Sequence, residues 1–141
     1  MKNAAIHAIS SASLLVLSIF AMPGKTHAES CNSASSQSEL NRCGSDAYRA
    51  ADQKLNDAFK QIEHRFSADK DGSEQLRQAQ RAWIGFRDAE CKFASSGVAG
   101  GSAYTMVQQQ CLRDLTEARV KQLEAYLQCE EGDLSCIVPR N

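Results

Sequence analysis

Six cysteines constrain this chain more than any other feature, because each disulfide can lock two segments together. All of them lie beyond residue 28 of a chain of 141 residues: Cys31, Cys43, Cys91, Cys111, Cys129 and Cys136. Disulfides form and persist in oxidising compartments and are rare in the cytosol. The even cysteine set therefore predicts a disulfide-stapled protein that leaves the cytosol.

The first 28 residues have the features of a secretory signal peptide. Lys2 gives the N-terminal region a positive charge. Residues 8–22 form an apolar run that is shorter than the segment a helix usually needs to span a membrane. We expect cleavage after Ala28, which leaves a single domain over residues 29–141 in the periplasm or outside the cell. An acidic residue two places before Cys31 does not fit a lipobox, so we expect no lipid anchor.

The charge of the remaining chain is mildly acidic. Without the leader it has 14 lysines and arginines against 17 aspartates and glutamates, a net charge of −3. This balance gives no electrostatic reason to expect nucleic acid or an anionic membrane as a partner. A chain of this length suits one domain.

The sequence beyond the leader is typical of long helices, since its only proline is Pro139. Ser36 and Glu39 form a potential capping box at the start of the first helix. Apolar and small residues then recur at helical spacing: Leu40, Gly44, Tyr48, Ala51, Leu55, Phe59, Ile62 and Phe66. A polar break over residues 67–72 is expected to end this helix.

Two further helices follow in the same pattern. The second is predicted from about Ser73 to Ala94, with Trp83, Phe86 and Phe93 among its apolar positions. A flexible glycine-rich loop over residues 95–102 precedes a third helix with its own periodic residues: Tyr104, Val107, Cys111, Leu115, Ala118, Gln122 and Tyr126. Short connections favour antiparallel neighbours, so the sequence predicts an all-α fold, an antiparallel three-helix bundle with disulfide staples.

The helix layout suggests how the cysteines pair, although six cysteines allow 15 connectivities. Antiparallel second and third helices bring Cys91 close to Cys111, and this bridge closes the glycine-rich loop. Cys31 with Cys43 and Cys129 with Cys136 then follow by elimination. A metal site is the alternative, but the sequence has no CxxC spacing and only His64 beyond the leader, so we expect no metal and no cofactor.

Four charged residues are predicted on the core side of the helices. Arg87 lies about 40° and Glu90 about 20° from Trp83 around the second helix, and Arg119 about 40° from Leu115 around the third. Asp52 lies at the edge of the first apolar stripe. Buried charges require partners, which favours a structural ion-pair network of Asp52, Arg87, Glu90 and Arg119.

A polar cleft with a catalytic role is the alternative to that network. Asp52 and Glu90 could form an acid and base pair, but paired carboxylates are common in helical proteins. No Ser-His pair, free cysteine or metal-ligand cluster accompanies them. We therefore expect no enzymatic activity and no catalytic residues.

The chain resembles the lysozyme inhibitor LprI-like family of small secreted bacterial proteins. The resemblance covers about residues 31–127 and is carried by four stretches: Glu39-Leu40-Asn41-Arg42-Cys43, residues 51–56, residues 80–91 around Trp83, and Cys111 with residues 115–119. It implies a helical, disulfide-bonded domain of the cell envelope and, for the namesake, inhibition of lysozyme. It supplies no inhibitory residues that could be transferred to this chain.

The expected function is therefore binding of a protein partner. One hypothesis is inhibition of lysozyme, with the glycine-rich loop inserted into its cleft. The candidate partner-binding residues are Ser96, Gly97, Val98, Gly100, Gly101 and Ser102. The alternative is a periplasmic structural or interaction module that binds another envelope protein without inhibiting lysozyme.

Overall fold

Three long α-helices make up most of the part of the chain that the computed structural model describes, which is Cys31 with residues 33–128 and 132–139. Helix α1 spans Gln37–Arg65, α2 spans Lys70–Ala94, and α3 spans Tyr104–Leu127. A short 3-10 helix, Ser96–Val98, lies between α2 and α3. No strand occurs in these residues, so the predicted all-α class is confirmed. The predicted signal peptide lies outside the described residues.

Helix α1 begins with the predicted capping box. The Ser36 hydroxyl accepts a hydrogen bond from the Glu39 amide at 3.3 Å, and the Ser36 amide donates to Glu39 Oε2 at 3.0 Å. The amide of Ser35 donates to the same carboxylate oxygen at 3.0 Å. These backbone donors hold the pKa of Glu39 below its ordinary value, because they favour the ionised carboxylate.

Helix α2 begins three residues earlier than predicted, so the expected polar break over residues 67–72 is too long. Asp69 is the N-cap, and its carboxylate accepts a hydrogen bond from the Gly72 amide at 3.0 Å. Gly72 stands in the first turn because Phe66 occupies the space beside it. A Cβ on Gly72 would lie 2.5 Å from Phe66 Cε1. The glycine was read as a break in the sequence, but it is a packing position.

The direction of the three helices follows from contacts at their ends. Asn41 near the start of α1 donates to the Ser102 carbonyl at 3.0 Å, just before α3 begins, and Arg65 at the end of α1 donates to the Leu127 carbonyl at 3.0 Å. Helices α1 and α3 are therefore parallel. Helix α2 runs in the opposite direction, since its Arg77 pairs with Glu63 near the end of α1 at 2.7 Å. This is the predicted antiparallel three-helix bundle, in which α2 runs against both α1 and α3.

The packing of the helices is uneven. Helices α1 and α3 form the closest pair, whereas α2 packs more on α3 than on α1. Small residues on α1 allow the close approach: a Cβ on Gly44 would lie 3.4 Å from Gln109 Cβ, and Ala51 and Ala58 are buried. One side of α2 is therefore exposed to solvent, and the residues on that side are not covered by α1 or α3.

The main hydrophobic core lies at the end of the bundle where α1 and α3 finish and α2 begins. Its buried members are Leu55, Ala58, Ile62, Phe66, Val120, Leu123 and Val138. Trp83 and Tyr126 are partly buried and pack against this cluster. Val138 is 2% exposed, so the tail after α3 folds back onto the bundle. The sequence pattern did not predict this contribution of the tail.

Two disulfides join elements of the described chain. Cys31 is bonded to Cys43 in α1, and Cys91 in α2 is bonded to Cys111 in α3, with Cα atoms 5.6 Å and 5.5 Å apart. Cys136 is disulfide-bonded as well. Its expected partner Cys129 lies outside the described residues, so the third pairing stays a prediction. In the loop-entropy account, closing the segment between Cys91 and Cys111 stabilises the fold by about 3 kcal/mol.

Candidate functional site

Trp83 contacts two arginines that come from different helices. The guanidinium carbon of Arg87, one turn further along α2, is 5.2 Å from the centre of the Trp83 ring, and that of Arg119 in α3 is 5.9 Å from it. Arg87 is also 5.4 Å from the ring centre of Tyr48 in α1. Cation–π attraction of this kind contributes about 1 kcal/mol per contact, and more where water is excluded. We call Tyr48, Arg87, Trp83 and Arg119 the arginine–aromatic stack.

Arg87 has two carboxylates as partners. Its Nη1 atom is 3.4 Å from Asp52 Oδ1, and its Nη2 atom is 2.8 Å from Asp88 Oδ1. The side chain of Arg87 is only 8% exposed, whereas those of Asp52 and Asp88 are 38% and 57% exposed. The buried cation is therefore neutralised by acids that keep contact with water. Asp88 was not expected here, because adjacent residues on a helix do not face each other.

Arg119 has no carboxylate partner among the described residues. Its Nε atom donates to Gln80 Oε1 at 3.2 Å, and its Nη1 atom donates to Gln122 Oε1 at 2.6 Å. Burial lowers the pKa of Arg119, since desolvation disfavours the charged form, and the nearby Tyr126 hydroxyl opposes that effect. Within the described part of the chain Arg119 lies in a network of amide and phenol groups. Its membership of an ion-pair network stays a prediction.

Glu90 also differs from its prediction. Its side chain is exposed and forms no ion pair within the described part of the chain. The angular position was read as pointing inward, but α2 packs mainly on α3, so the side of α2 that carries Glu90 faces solvent. The same open side explains Phe86 and Phe93, which are 56% and 75% exposed although both fit the predicted apolar stripe.

Tyr48 completes the stack on the α1 side. Its phenol is partly buried, and this burial raises its pKa above the ordinary value of 10.0, against the opposing charge of Arg87. A raised pKa means that the folded protein holds the phenolic proton more tightly than the unfolded chain does. Ionisation of the Tyr48 phenol at alkaline pH should therefore lower the stability of the folded protein.

A cavity of about 610 Å³ opens beside the main core, at the end of the bundle where α1 and α3 finish and α2 begins. We call it the basal pocket. The end of α1, the first half of α2, the second half of α3 and the tail each contribute to its wall. Its lining residues are Ile62, Phe66, Asp69, Asp71, Gly72, Gln75, Leu76, Ala79, Arg119, Tyr126, Ile137 and Val138. Arg119 is therefore shared between the arginine–aromatic stack and this pocket.

The candidate partner-binding loop lies at the opposite end, between α2 and α3. It contains the 3-10 helix Ser96–Val98 and a turn in which Gly100 has a φ of +77°, a conformation that favours glycine. The buried Ser95 hydroxyl donates to the Cys91 carbonyl at 2.8 Å, so the loop begins from a fixed point. The loop that was expected to be flexible is therefore held at its base.

The described residues contain no group of histidine, cysteine or acidic side chains suited to hold a metal ion. Every cysteine described is in a disulfide. None of the three helices is long and apolar enough to cross a membrane.

The fold and these surfaces define a small α-helical domain whose helices and terminal segment are joined by disulfides. The family described as "Lysozyme inhibitor LprI" matches residues 28–123. The chain belongs to this family, as the sequence motifs predicted. It is also similar to the uncharacterized protein R02472 of Rhizobium meliloti (strain 1021), with 36% identity over 113 residues, which cover 72% of this chain and 81% of that protein. No solved structure gives a significant match.

Proposed function

We propose that this protein binds lysozyme and inhibits it by covering its substrate cleft. The observation that carries the proposal is the family match over residues 28–123. In this proposal the protein acts as a binding protein and not as an enzyme. We expect the predicted signal peptide to direct it to the periplasm or outside the cell, where disulfides form and where it would meet lysozyme.

The loop over residues 96–102 is the proposed contact surface. Its residues are small and carry no charge, so the loop is narrow enough to enter a cleft. The disulfide between Cys91 and Cys111 joins the helices on either side of the loop. An ordered loop loses less conformational entropy when it binds than a flexible loop does, which strengthens binding.

Phe93 and Val98 supply the apolar part of this surface. The Phe93 side chain is 75% exposed in the last turn of α2, and Val98 is 36% exposed in the 3-10 helix that follows. Exposed aromatic residues at the centre of an interface commonly contribute most of the binding energy. We therefore assign Phe93 as the main anchor of the proposed interface.

Charge supports the proposal in a second way. The chain beyond the predicted cleavage site has a net charge of −3. Attraction between an acidic inhibitor and a basic enzyme accelerates encounter and falls with rising salt. The neutral loop would then make the close contact, while the charges of the rest of the surface guide the approach.

The test is a cell-wall lysis assay with purified, oxidised protein and a basic lysozyme. We expect dose-dependent inhibition, and Phe93→Ala should weaken it about 30-fold, the loss expected for an interface anchor worth about 2 kcal/mol. The matched control is Phe86→Ala, which removes a second exposed phenylalanine from α2 two turns before Phe93. We expect this control to inhibit like the unchanged protein.

Two results would contradict parts of the proposal. Equal inhibition by the Phe93→Ala and unchanged proteins would remove the loop end from the interface. No inhibition of several lysozymes at large molar excess, by protein that is folded and oxidised, would reject the inhibitor function. It would favour the alternative of an interaction module for another envelope protein.

A further inference from the structure

The basal pocket contains a cation, Arg119, that no carboxylate of the described residues neutralises. Arg119 is 8% exposed and lines the cavity, and the oxygens that accept its hydrogen bonds belong to the neutral amides of Gln80 and Gln122. No carboxylate in the described part of the chain pairs with it. A guanidinium is always charged at ordinary pH, so a positive charge remains in the wall of this pocket.

A buried cation of this kind is suited to an anionic ligand. Removal of a charge from water is unfavourable, and a carboxylate placed against the guanidinium would offset that cost. The planar guanidinium can bind both oxygens of a carboxylate at once. Tyr126 lies in the same wall, and its hydroxyl accepts a hydrogen bond from Gln122 at 3.0 Å, which leaves its O–H as a further donor.

The remainder of the pocket favours an apolar ligand body. Aromatic and aliphatic side chains from all three helices and the tail line it, among them Ile62, Phe66, Leu76 and Val138. Its volume of about 610 Å³ lies within the range of sites for small organic molecules. A ligand that leaves water for this cavity would gain from the burial of its hydrocarbon surface.

The acids of the pocket restrict the ligand to one negative group. Asp69 and Asp71 lie where α2 begins, and Gln80, which holds Arg119, is nine or more residues further along the same helix. At the rise of an α-helix this separation is roughly 14 Å. A second anionic group at that end would be repelled, which disfavours phosphate-rich or other multiply charged ligands.

We propose that the basal pocket binds an organic acid with one carboxylate and an apolar body, of the chemical class of a medium-chain fatty acid. The carboxylate lies against Arg119 and Tyr126, and the hydrocarbon part extends between the helices toward the start of α2. This site is separate from the loop proposed to contact lysozyme, so either proposal can fail without the other.

The structure supplies an intrinsic probe for this site. Trp83 is the only tryptophan of the chain, and its ring centre is 5.9 Å from the guanidinium carbon of Arg119. A carboxylate that binds Arg119 should change the fluorescence of Trp83. The experiment is a fluorescence titration of the oxidised protein with dodecanoate and, separately, with dodecanol, which has the same chain and an uncharged head.

We expect saturable binding of dodecanoate below its micelle concentration and at least tenfold weaker binding of dodecanol. Arg119→Gln should weaken dodecanoate binding at least tenfold and remove its preference over dodecanol. The matched control is Arg81→Gln, which removes the same charge from an exposed position of α2 and should leave both affinities unchanged.

A second variant tests the pocket itself without changing Arg119. Ala79→Phe fills part of the cavity from an exposed position on α2, and it should weaken both ligands by a similar factor. Four results would overturn the proposal: equal affinity for dodecanoate and dodecanol, unchanged dodecanoate affinity in a folded Arg119→Gln variant, unchanged dodecanoate affinity in a folded Ala79→Phe variant, or no saturable signal for either ligand. The Ala79→Phe result remains decisive if Arg119→Gln does not fold.

Discussion

Two buried arginines contact the ring of Trp83 but differ in the groups that surround their charge. Arg87 has the carboxylates of Asp52 and Asp88, and both acids remain in contact with water. Arg119 has the amide oxygens of Gln80 and Gln122 and borders a cavity. Each arginine lies on the Trp83 ring, so the aromatic contact is shared and the charge partners differ.

This contrast separates a structural role from a binding role. A buried ion pair with solvated acids neutralises itself, so the Arg87 side needs no ligand and serves to connect α1 with α2. Among the described residues Arg119 has no carboxylate partner, although its hydrogen bonds to the two amides are made. The comparison indicates that incomplete neutralisation next to a cavity, and not burial of an arginine alone, marks a candidate site.

The largest expected effect comes from removal of the shared ring. Trp83→Ala should lower the free energy of unfolding by about 3 kcal/mol, because packing against the core and both cation–π contacts are lost. Urea unfolding followed by circular dichroism measures this loss. Phe86→Ala is the control and should change stability by less than about 0.5 kcal/mol, since Phe86 is exposed. Equal losses would show that the packed side of α2 is wrongly assigned.

The next effect is a difference between the two arginines. Arg87→Met should cost about 2 kcal/mol, because it removes an ion pair and two aromatic contacts. Arg119→Met should cost at least about 1 kcal/mol less, because it removes a buried charge that lacks a carboxylate. Urea unfolding of both variants under one set of conditions gives the comparison. The opposite order would mean that Arg119 is the better neutralised of the two.

A smaller effect is expected for the pairing of α1 with α2. A double-mutant cycle of Asp52→Asn with Arg87→Met should give a coupling energy of about 0.5–1 kcal/mol, because Asp52 is 38% exposed and solvent screens the pair. The control cycle uses Asp57→Asn, an exposed acid of the same helix, and should give no coupling. A coupling well above 2 kcal/mol would indicate that the pair is shielded from water.

The smallest effect is a change in alkaline stability at the Arg87 end of the stack. The pKa of Tyr48 is raised in the folded protein, so its contribution to stability is fully present below pH 10 and is lost as the pH rises through the folded pKa. Tyr48→Phe lacks this contribution at every pH. The unchanged protein should lose stability through Tyr48 as the pH rises, whereas the variant does not. The urea midpoint of the variant minus that of the unchanged protein should therefore increase between pH 9 and pH 11.

Tyr104→Phe is the control for that measurement, because it removes a phenol that is hydrogen-bonded to Gln108 outside the stack. We expect its midpoint relative to the unchanged protein to change less over this range. If both variants respond alike, the effect does not arise from the environment of Tyr48.

Local features were predicted well because they depend on residues close in sequence. The capping box of Ser36 and Glu39, the loop before Tyr104 and the pairing of Cys91 with Cys111 follow from helical spacing and short connections. The start of α2 was misplaced by three residues because Gly72 was read as a break. The role of Gly72 depends on Phe66, which directly follows α1 and occupies the space beside the glycine.

The partners of charged residues were predicted less well, because angular position around one helix does not give the tilt of that helix against its neighbours. Glu90 and Arg119 had the same inward assignment as Arg87, yet within the described residues only Arg87 is paired with a side chain of opposite charge. Asp88 reaches Arg87 although helical geometry places the two side chains apart. The basal pocket could not be predicted, because four separate segments form its wall.

The sequence by itself determined the helices, their order, the family and the disulfide between α2 and α3, since these depend on periodicity, caps and short connections. Only the tertiary structure decided which side of α2 stays open, which arginine obtains carboxylates, and that the tail places Val138 in the core. The physical reason is that hydrophobic burial fixes which face of a helix points inward, whereas the neighbours of a charge depend on how closely each pair of helices can approach. In this protein the small residues of α1 allow it to approach α3 closely, whereas α2 packs to one side. Arg119 borders a cavity that residues from all three helices and the tail line.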